Sequence, residues 1–288
     1  VNTDIVSGEL VAGEIIASAL RGVKLQLLAE GYSVLKSAIR VSHDEMRTVF
    51  AEWNRGELAD PLLGTAADVL SQRDVDGLPL LEKVLDVSRG RELCGPAASL
   101  ALKLEVPAPL ASQAAFSFFL SGMKDERVEA SAVLNGPKVA PTGDRHAMIE
   151  ELRKALQAAF ILAYTEAYSL LAASGRGKEE ALAEASSSIG SRAAEARSRC
   201  GPKESLLLDA KMKSSLDPAL PSLRRVCSRC AEAGLPVPGL TAALGYYDGL
   251  RSMWLPSNLA VALRDSGEGS GYERVDRPRG EVFHSDWK

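Results

Sequence analysis

Apolar residues recur at three- and four-residue spacing through the middle of this chain, at Leu152, Leu156, Ala159, Ala163, Ala167 and Leu170, before Gly175 supplies a stop. The pattern predicts one helix of roughly six turns or more, long enough to be the central element of a fold. The surrounding stretch, 155–173, is rich in alanine and carries Gln157, Thr165 and Glu166. Polar groups of this kind are costly in hydrocarbon, so the segment is expected to be a core helix and the chain not to span a membrane.

Further helices are predicted on either side. From Leu28, residues Tyr32, Leu35 and Ile39 keep helical spacing, and Ser42 with Glu45 offers a capping-box start for the next helix. Helical segments are also expected over 61–71, 97–104, 110–122, 178–198, 220–233 and 240–253, and strand-like alternation is scarce. The expected fold class is all-α. Breaks fall at Val106-Pro107-Ala108-Pro109, at Asn135-Gly136-Pro137 with Pro141-Thr142-Gly143, and at Gly234-Leu235-Pro236-Val237-Pro238. One helical domain is expected over 1–265, in two halves that meet near 137–143. Residues 266–288, rich in glycine and charge, read as an extended tail that docks through isolated aromatic residues.

With 288 residues, 46% of them apolar, the chain can bury a sizeable core. A formal charge of −4 leaves no cationic surplus for phosphates, which argues against nucleic acid as the main partner. Four cysteines are too few for a disulfide framework at this length, which suits a soluble protein of a reducing compartment. Cys227 and Cys230 form a CxxC without a second pair or a nearby histidine, so they read as two thiols one helical turn apart; no metal site is expected. No secretory signal is apparent, and the start at Val1 fits either a removed leader, as in an organellar protein, or part of a longer product. His43, His146 and His284 are far apart and belong to no nucleophile motif.

The passage Tyr246-Tyr247-Asp248-Gly249-Leu250-Arg251-Ser252, with Leu255-Pro256-Ser257-Asn258-Leu259 and Arg264-Asp265, resembles the C-terminal signature of the 6-phosphogluconate dehydrogenase family. The likeness continues through Gly271-Tyr272-Glu273-Arg274-Val275-Asp276 to Phe283-His284-Ser285-Asp286-Trp287. Upstream, Asp74-Val75-Asp76-Gly77, Met123-Lys124-Asp125-Glu126-Arg127-Val128, Val133-Leu134-Asn135-Gly136-Pro137 and Leu152-Arg153-Lys154-Ala155-Leu156 keep the same order. The resemblance implies that family's all-helical C-terminal fold of two related halves, its tendency to dimerise, and a docking role for Tyr272, Phe283, His284 and Trp287.

It also implies a chemistry that these residues do not match. The family oxidises and decarboxylates 6-phosphogluconate with NADP, using a lysine base and a glutamate acid on one helix. Those two positions fall on Glu14 and Arg21, both with the charge reversed. The His-Asn pair between them falls on Ala17 and Ser18, and the tyrosine phosphate ligand on Gly22. The Lys-Gly-Thr-Gly-Lys-Trp loop is replaced by Arg91-Glu92-Leu93-Cys94-Gly95-Pro96, and an arginine of the following helix falls on Phe118. Of the two tail residues that the family inserts into a partner's site, the arginine persists as Arg264 and the histidine falls on Ser270. The Trp-Arg-x-Gly-Cys segment gives way to Ser187-Ser188-Ile189-Gly190-Ser191-Arg192. A dianionic phosphate needs several donors at once, and Arg91 and Arg264 are the substrate-binding remnants.

No Gly-x-Gly-x-x-Gly follows a strand near the start, so no nicotinamide domain and no cofactor are expected. Gly267-Glu268-Gly269-Ser270-Gly271 lies in the tail with an acid inside it, which speaks against phosphate binding. The expected function is that of a catalytically inactive relative serving as a structural subunit, with other protein subunits or a second copy of itself as partner. Two alternatives are a dehydrogenase completed by further residues or another chain, and a sugar-phosphate-binding module.

Overall fold

The computed structural model describes residues 3–287 apart from 89, 138–142, 176–181, 183–186 and 202–203, with side chains from residue 12 onward except that of Arg91. It is helical nearly throughout. The first helix, α1 (Thr3–Ser33), runs on into a π-helical turn, Val34–Ile39, which Arg40 ends at φ 61°. Next, α2 (His43–Trp53) starts on the expected capping box: Glu45 N–H donates to Ser42 Oγ, and Ser42 N–H donates to the Glu45 carboxylate at 3.0 Å. Asp60 caps α3 (Pro61–Ser71), whose first residue is a proline that has no N–H to leave unsatisfied.

Three more helices follow: α4 (Arg91–Leu104), α5 (Pro109–Gly122) and α6 (Lys124–Val133). The long central helix is α7 (Arg145–Ala173), capped by Asp144, with Gly175 beyond its end at φ 75°. After it come α8 (Ser188–Arg199), a 3-10 turn at Leu206–Leu208, α9 (Ala210–Leu216), α10 (Leu220–Glu232), α11 (Pro238–Arg251) and α12 (Ser257–Glu268). Two strands, β1 (Tyr272–Glu273) and β2 (Val282–Phe283), pair antiparallel with Tyr272 opposite Phe283.

The chain divides into two compact units, 1–246 and 247–288. In the first, α7 is the core: the side chains from Leu152 to Leu171 are almost all buried, and α1 and α10 pack along it. Its alanines let neighbours approach closely, and Leu156 Cδ1 lies only 3.0 Å from where a Cβ would stand at Gly31 of α1. By length and composition α7 could cross a membrane, but 89% of its most apolar window is buried inside the protein. A buried ion pair, Lys24 Nζ to Asp60 at 3.0 Å, ties α1 to the start of α3, with Lys24 also 5.7 Å from the centre of the Tyr164 ring.

The boundaries differ from the sequence expectation where packing overrides local signals. The helix expected over 97–104 begins instead at Arg91, so that Pro96 lies inside α4, which packs against both α1 and α5. The short helices α6, α9 and α12 were not expected: α6 has no buried residue, α9 buries only Met212 and Leu216, and α12 buries only Asp265. Part of the segment expected at 178–198 lies outside the described residues, as does most of the 137–143 division. The boundary expected at 265/266 falls within α12, and the residues beyond it fold back as the β1–β2 hairpin.

Candidate functional site

On α1, Glu14 and Arg21 are both exposed and stand seven residues apart, about two turns or ~10 Å along the axis. Ala17 and Ser18 between them are half-buried. One residue further on the helix meets its neighbours directly. A Cβ at Gly22 would overlap Cys94 Sγ of α4 and lie 3.1 Å from Leu93 Cβ and 3.7 Å from the Phe118 ring of α5. The Cys94 thiol, fully buried, sits 3.6 Å from the Ala19 carbonyl on the same helix. Burial, with the nearby Glu166 carboxylate, pushes that thiol up to about 12, which removes it as a nucleophile near neutral pH.

Phe118 closes the cluster from the other side. Its Cδ2 is 3.4 Å from where a Cβ would stand at Gly90, the residue preceding α4. Gly22, Cys94 and Phe118 thus come together, and each occupies a position at which the resemblance implies a phosphate-binding element. The sequence expectation treated these positions one by one and missed that they touch; the clue was the pairing of a glycine on α1 with a small residue on α4. Pro96 and the residues before it form the first turns of α4, so this segment is helix and not a loop. The Arg91 side chain lies outside the described residues.

The CxxC thiols of α10 are both buried, and burial raises Cys227 to about 11 and Cys230 to about 12. Among the described residues no three His, Cys, Asp or Glu side chains are placed to hold a metal ion. The histidines are dispersed: His43 Nε2 lies 2.5 Å from Glu82, which also takes Lys36 at 2.7 Å, and His146 is exposed on the first turn of α7. Arg192 holds α8 in place by donating to Ser215 Oγ and the Glu57 carbonyl.

In the second unit the organising residue is Asp265 on α12. Its buried carboxylate accepts from Gly271 N at 2.8 Å, Ser285 N at 3.2 Å and Trp287 Nε1 at 2.7 Å, and lies 2.9 Å from His284 Nδ1. These donors, the Trp287 indole foremost, lower its carboxyl to about 2. The Tyr272 and Trp287 rings meet at 5.5 Å with a tilt of 53°, and the Tyr272 hydroxyl meets Ser285 Oγ. Of the expected docking residues, Tyr272, His284 and Trp287 thus hold the tail to its own helix, and Phe283 pairs with Tyr272 in the hairpin. Sequence reasoning quoted Asp265 within a motif and gave it no role. Arg264 is exposed and meets Glu268 one turn on, at 3.4 Å. Ser270 lines a cavity of about 690 Å³ with Asn258, Tyr272, Arg279 and Trp287.

Comparison with known proteins gives one consistent result. The model of the 6-phosphogluconate dehydrogenase C-terminal domain matches residues 19–183 and 187–287. The NADP(+)-dependent, decarboxylating 6-phosphogluconate dehydrogenase of Bacillus subtilis is 35% identical over 295 residues, covering 96% of this chain and 62% of its own. The decarboxylating 6-phosphogluconate dehydrogenase of Mus musculus is 35% identical over 297 residues, covering 97% and 61%. A Plasmodium falciparum 6-phosphogluconate dehydrogenase structure superposes with a TM-score of 0.87 at 23% identity, over 96% of this chain and 62% of that one, which shows the shared fold. The chain therefore spans about three fifths of the length of the curated relatives it matches.

Proposed function

The chain belongs to the 6-phosphogluconate dehydrogenase family, and from that premise we propose that it is a non-catalytic member acting as a helical structural subunit of a larger assembly. The observation that carries this is the contact of Gly22, Cys94 and Phe118. Where the family resemblance implies a cradle of cations and hydroxyls for a phosphate, the Cys94 sulfur and the Phe118 ring close on the bare backbone of Gly22 and offer an inert thiol and a phenyl ring. The reversed charges at Glu14 and Arg21 support the same reading, because a carboxylate and a guanidinium stand where the resemblance implies the lysine base and the glutamate acid. Arg264, exposed and beside Glu268, is one cation where several are required.

A subunit freed from catalysis keeps its surfaces. The exposed Phe116, Phe119, Leu120 and Met123, together with Met253 and Trp254, are large apolar groups whose burial against another chain would stabilise an assembly. Gentle purification of the native particle, with mass spectrometry of everything that accompanies this chain, tests the reading. Unlike subunits in defined ratio are the expected result. A lone monomer at native concentration contradicts it.

A second reading is supported by the relatives themselves, several of which are named decarboxylating dehydrogenases at 32–35% identity. In that reading further residues or another chain complete a working enzyme. Steady-state NADPH formation with 6-phosphogluconate, measured on the native particle, separates the two. A rate above blank excludes the non-catalytic reading, and calorimetric titration with the same sugar acid reports whether binding persists without turnover.

A further inference from the structure

Two helices of the first unit begin in the same unusual way. Both α5 and α11 start with proline, as Pro107-Ala108-Pro109-Leu110 and Pro236-Val237-Pro238-Gly239, and the residues in front of them, Ala108 and Val237, have no side-chain acceptor for the free N–H groups of the first turn. In each case a buried glutamate from a distant helix supplies it. Glu166 of α7 accepts from Leu110 N and Ala111 N, both at 2.8 Å. Glu30 of α1 accepts from Gly239 N at 2.7 Å and Leu240 N at 3.0 Å.

The two accepting glutamates belong to matching segments, Glu30-Gly31-Tyr32-Ser33-Val34-Leu35 and Glu166-Ala167-Tyr168-Ser169-Leu170-Leu171. The match makes a difference just upstream of them informative. Four residues before Glu30, Gln26 donates a third hydrogen bond to its carboxylate at 2.8 Å. Four residues before Glu166 the side chain is Leu162, fully buried and unable to donate.

We infer that α5 is seated by a proton-sensitive latch, Glu166, and that its counterpart Glu30 is the more permanent one. A carboxylate enclosed by helices, with two backbone donors and no cation on it, is harder to ionise than one with a third donor. Among the described residues, the titratable groups facing Glu166 are the Cys94 thiol of α4 and the Tyr246 phenol of α11, both neutral near pH 7 because burial pushes each up to about 12. From α5 the facing groups are backbone N–H. On α1, Lys24 is committed to Asp60 and Glu30 to α11. On α10, Arg225 and Arg229 pair with Glu151, about 20 Å along α7 from Glu166. Burial accordingly lifts Glu166 to about 7 and raises Glu30 as well, although Gln26 pulls the latter down.

The direction follows from linkage. Opening the first turn of α5 lets Glu166 reach water, where it ionises at an ordinary carboxylate value. Below that value both states are protonated and the latch holds best. As pH rises from about 4.5 to about 7 the buried carboxyl loses its proton less readily than the solvated one, so opening becomes easier by up to tenfold per pH unit, roughly 300-fold in total, and then levels off. Because the outer side of α5 exposes Phe116, Phe119 and Leu120, the same proton governs how firmly that face is held.

Amide hydrogen exchange on the full chain between pH 5 and 8, divided by the intrinsic rate at each pH, tests the latch. Protection of Leu110 and Ala111 is expected to fall tenfold or more across this range, with a smaller change at Gly239 and Leu240. Glu166→Gln should abolish the dependence, and Leu162→Gln, by supplying the missing donor, should move it to lower pH. A flat profile in the natural protein, or an unchanged slope in Glu166→Gln, overturns the proposal. If Glu166→Gln does not fold, an unmoved profile in Leu162→Gln does so instead.

Discussion

The closed contact between α1 and α4 can be tested by adding a single methyl group. Gly22→Ala on an exposed helix would stabilise the protein by about 1 kcal/mol, because alanine loses less backbone entropy. Here the new Cβ would overlap Cys94 Sγ and press on Leu93 Cβ at 3.1 Å. Cys94 is fully buried within a helix, where the available χ1 wells are few, so the sulfur cannot simply swing away. Overpacking of this kind costs about 1–3 kcal/mol. Set against the propensity gain, the expected net effect is destabilisation by up to about 2 kcal/mol. Cys94→Ala removes the clashing atom, so the double variant should recover most of the overpacking cost, giving a coupling of about 1–3 kcal/mol between the two sites. Urea denaturation of the four proteins, read as midpoint shifts at constant slope, measures it. A stabilised Gly22→Ala, or purely additive effects, would mean that the helices do not touch at Gly22 and that no contact closes the position at which the family resemblance implies a phosphate ligand.

Other expectations follow from buried charge. Lys24→Met strands the Asp60 carboxylate in a site from which water is excluded, and should cost about 3–5 kcal/mol in chemical denaturation, with less than additive loss when Asp60→Asn is added. Glu166 carries stability that is complete below about pH 4.5 and lost as pH rises through about 7, because its folded value lies above its unfolded one; the slope, up to about 3 kcal/mol in total, should vanish in Glu166→Gln and is read from denaturation midpoints across that window. Asp265 has the opposite sign, since its carboxyl is lowered in the fold: its contribution is present above about pH 4 and fades as pH falls toward 2. Asp265→Ala should release Trp287, seen as a red-shifted emission and faster proteolysis after residue 268, while the helical circular dichroism of the rest of the chain is kept.

Much of the architecture was legible in residue order. The periodicity around Leu156 and Ala163 marked α7, the Ser42–Glu45 pair marked the start of α2, and the signature from Tyr246 to Trp287 pointed to the family. These signals are readable because they are local: a helix face repeats every few residues, and a cap is written in four. Helices such as α6 and α12 were not legible: α6 buries no residue, and the apolar residues of α12, Leu259 and Leu263 among them, stay exposed. The charges at Glu14 and Arg21 could likewise be compared with the family pattern position by position. What residue order alone could not supply is contact between segments far apart in the chain. Only the tertiary structure brings Gly22 against Cys94 and Phe118, seats Glu166 on the start of α5 fifty-six residues before it and Glu30 on that of α11, and folds Trp287 back on Asp265. The physical reason is that van der Waals contact and hydrogen bonds act over a few ångströms of space, whatever the separation along the chain, so the meaning of a small or buried polar residue is decided by what the fold lays beside it.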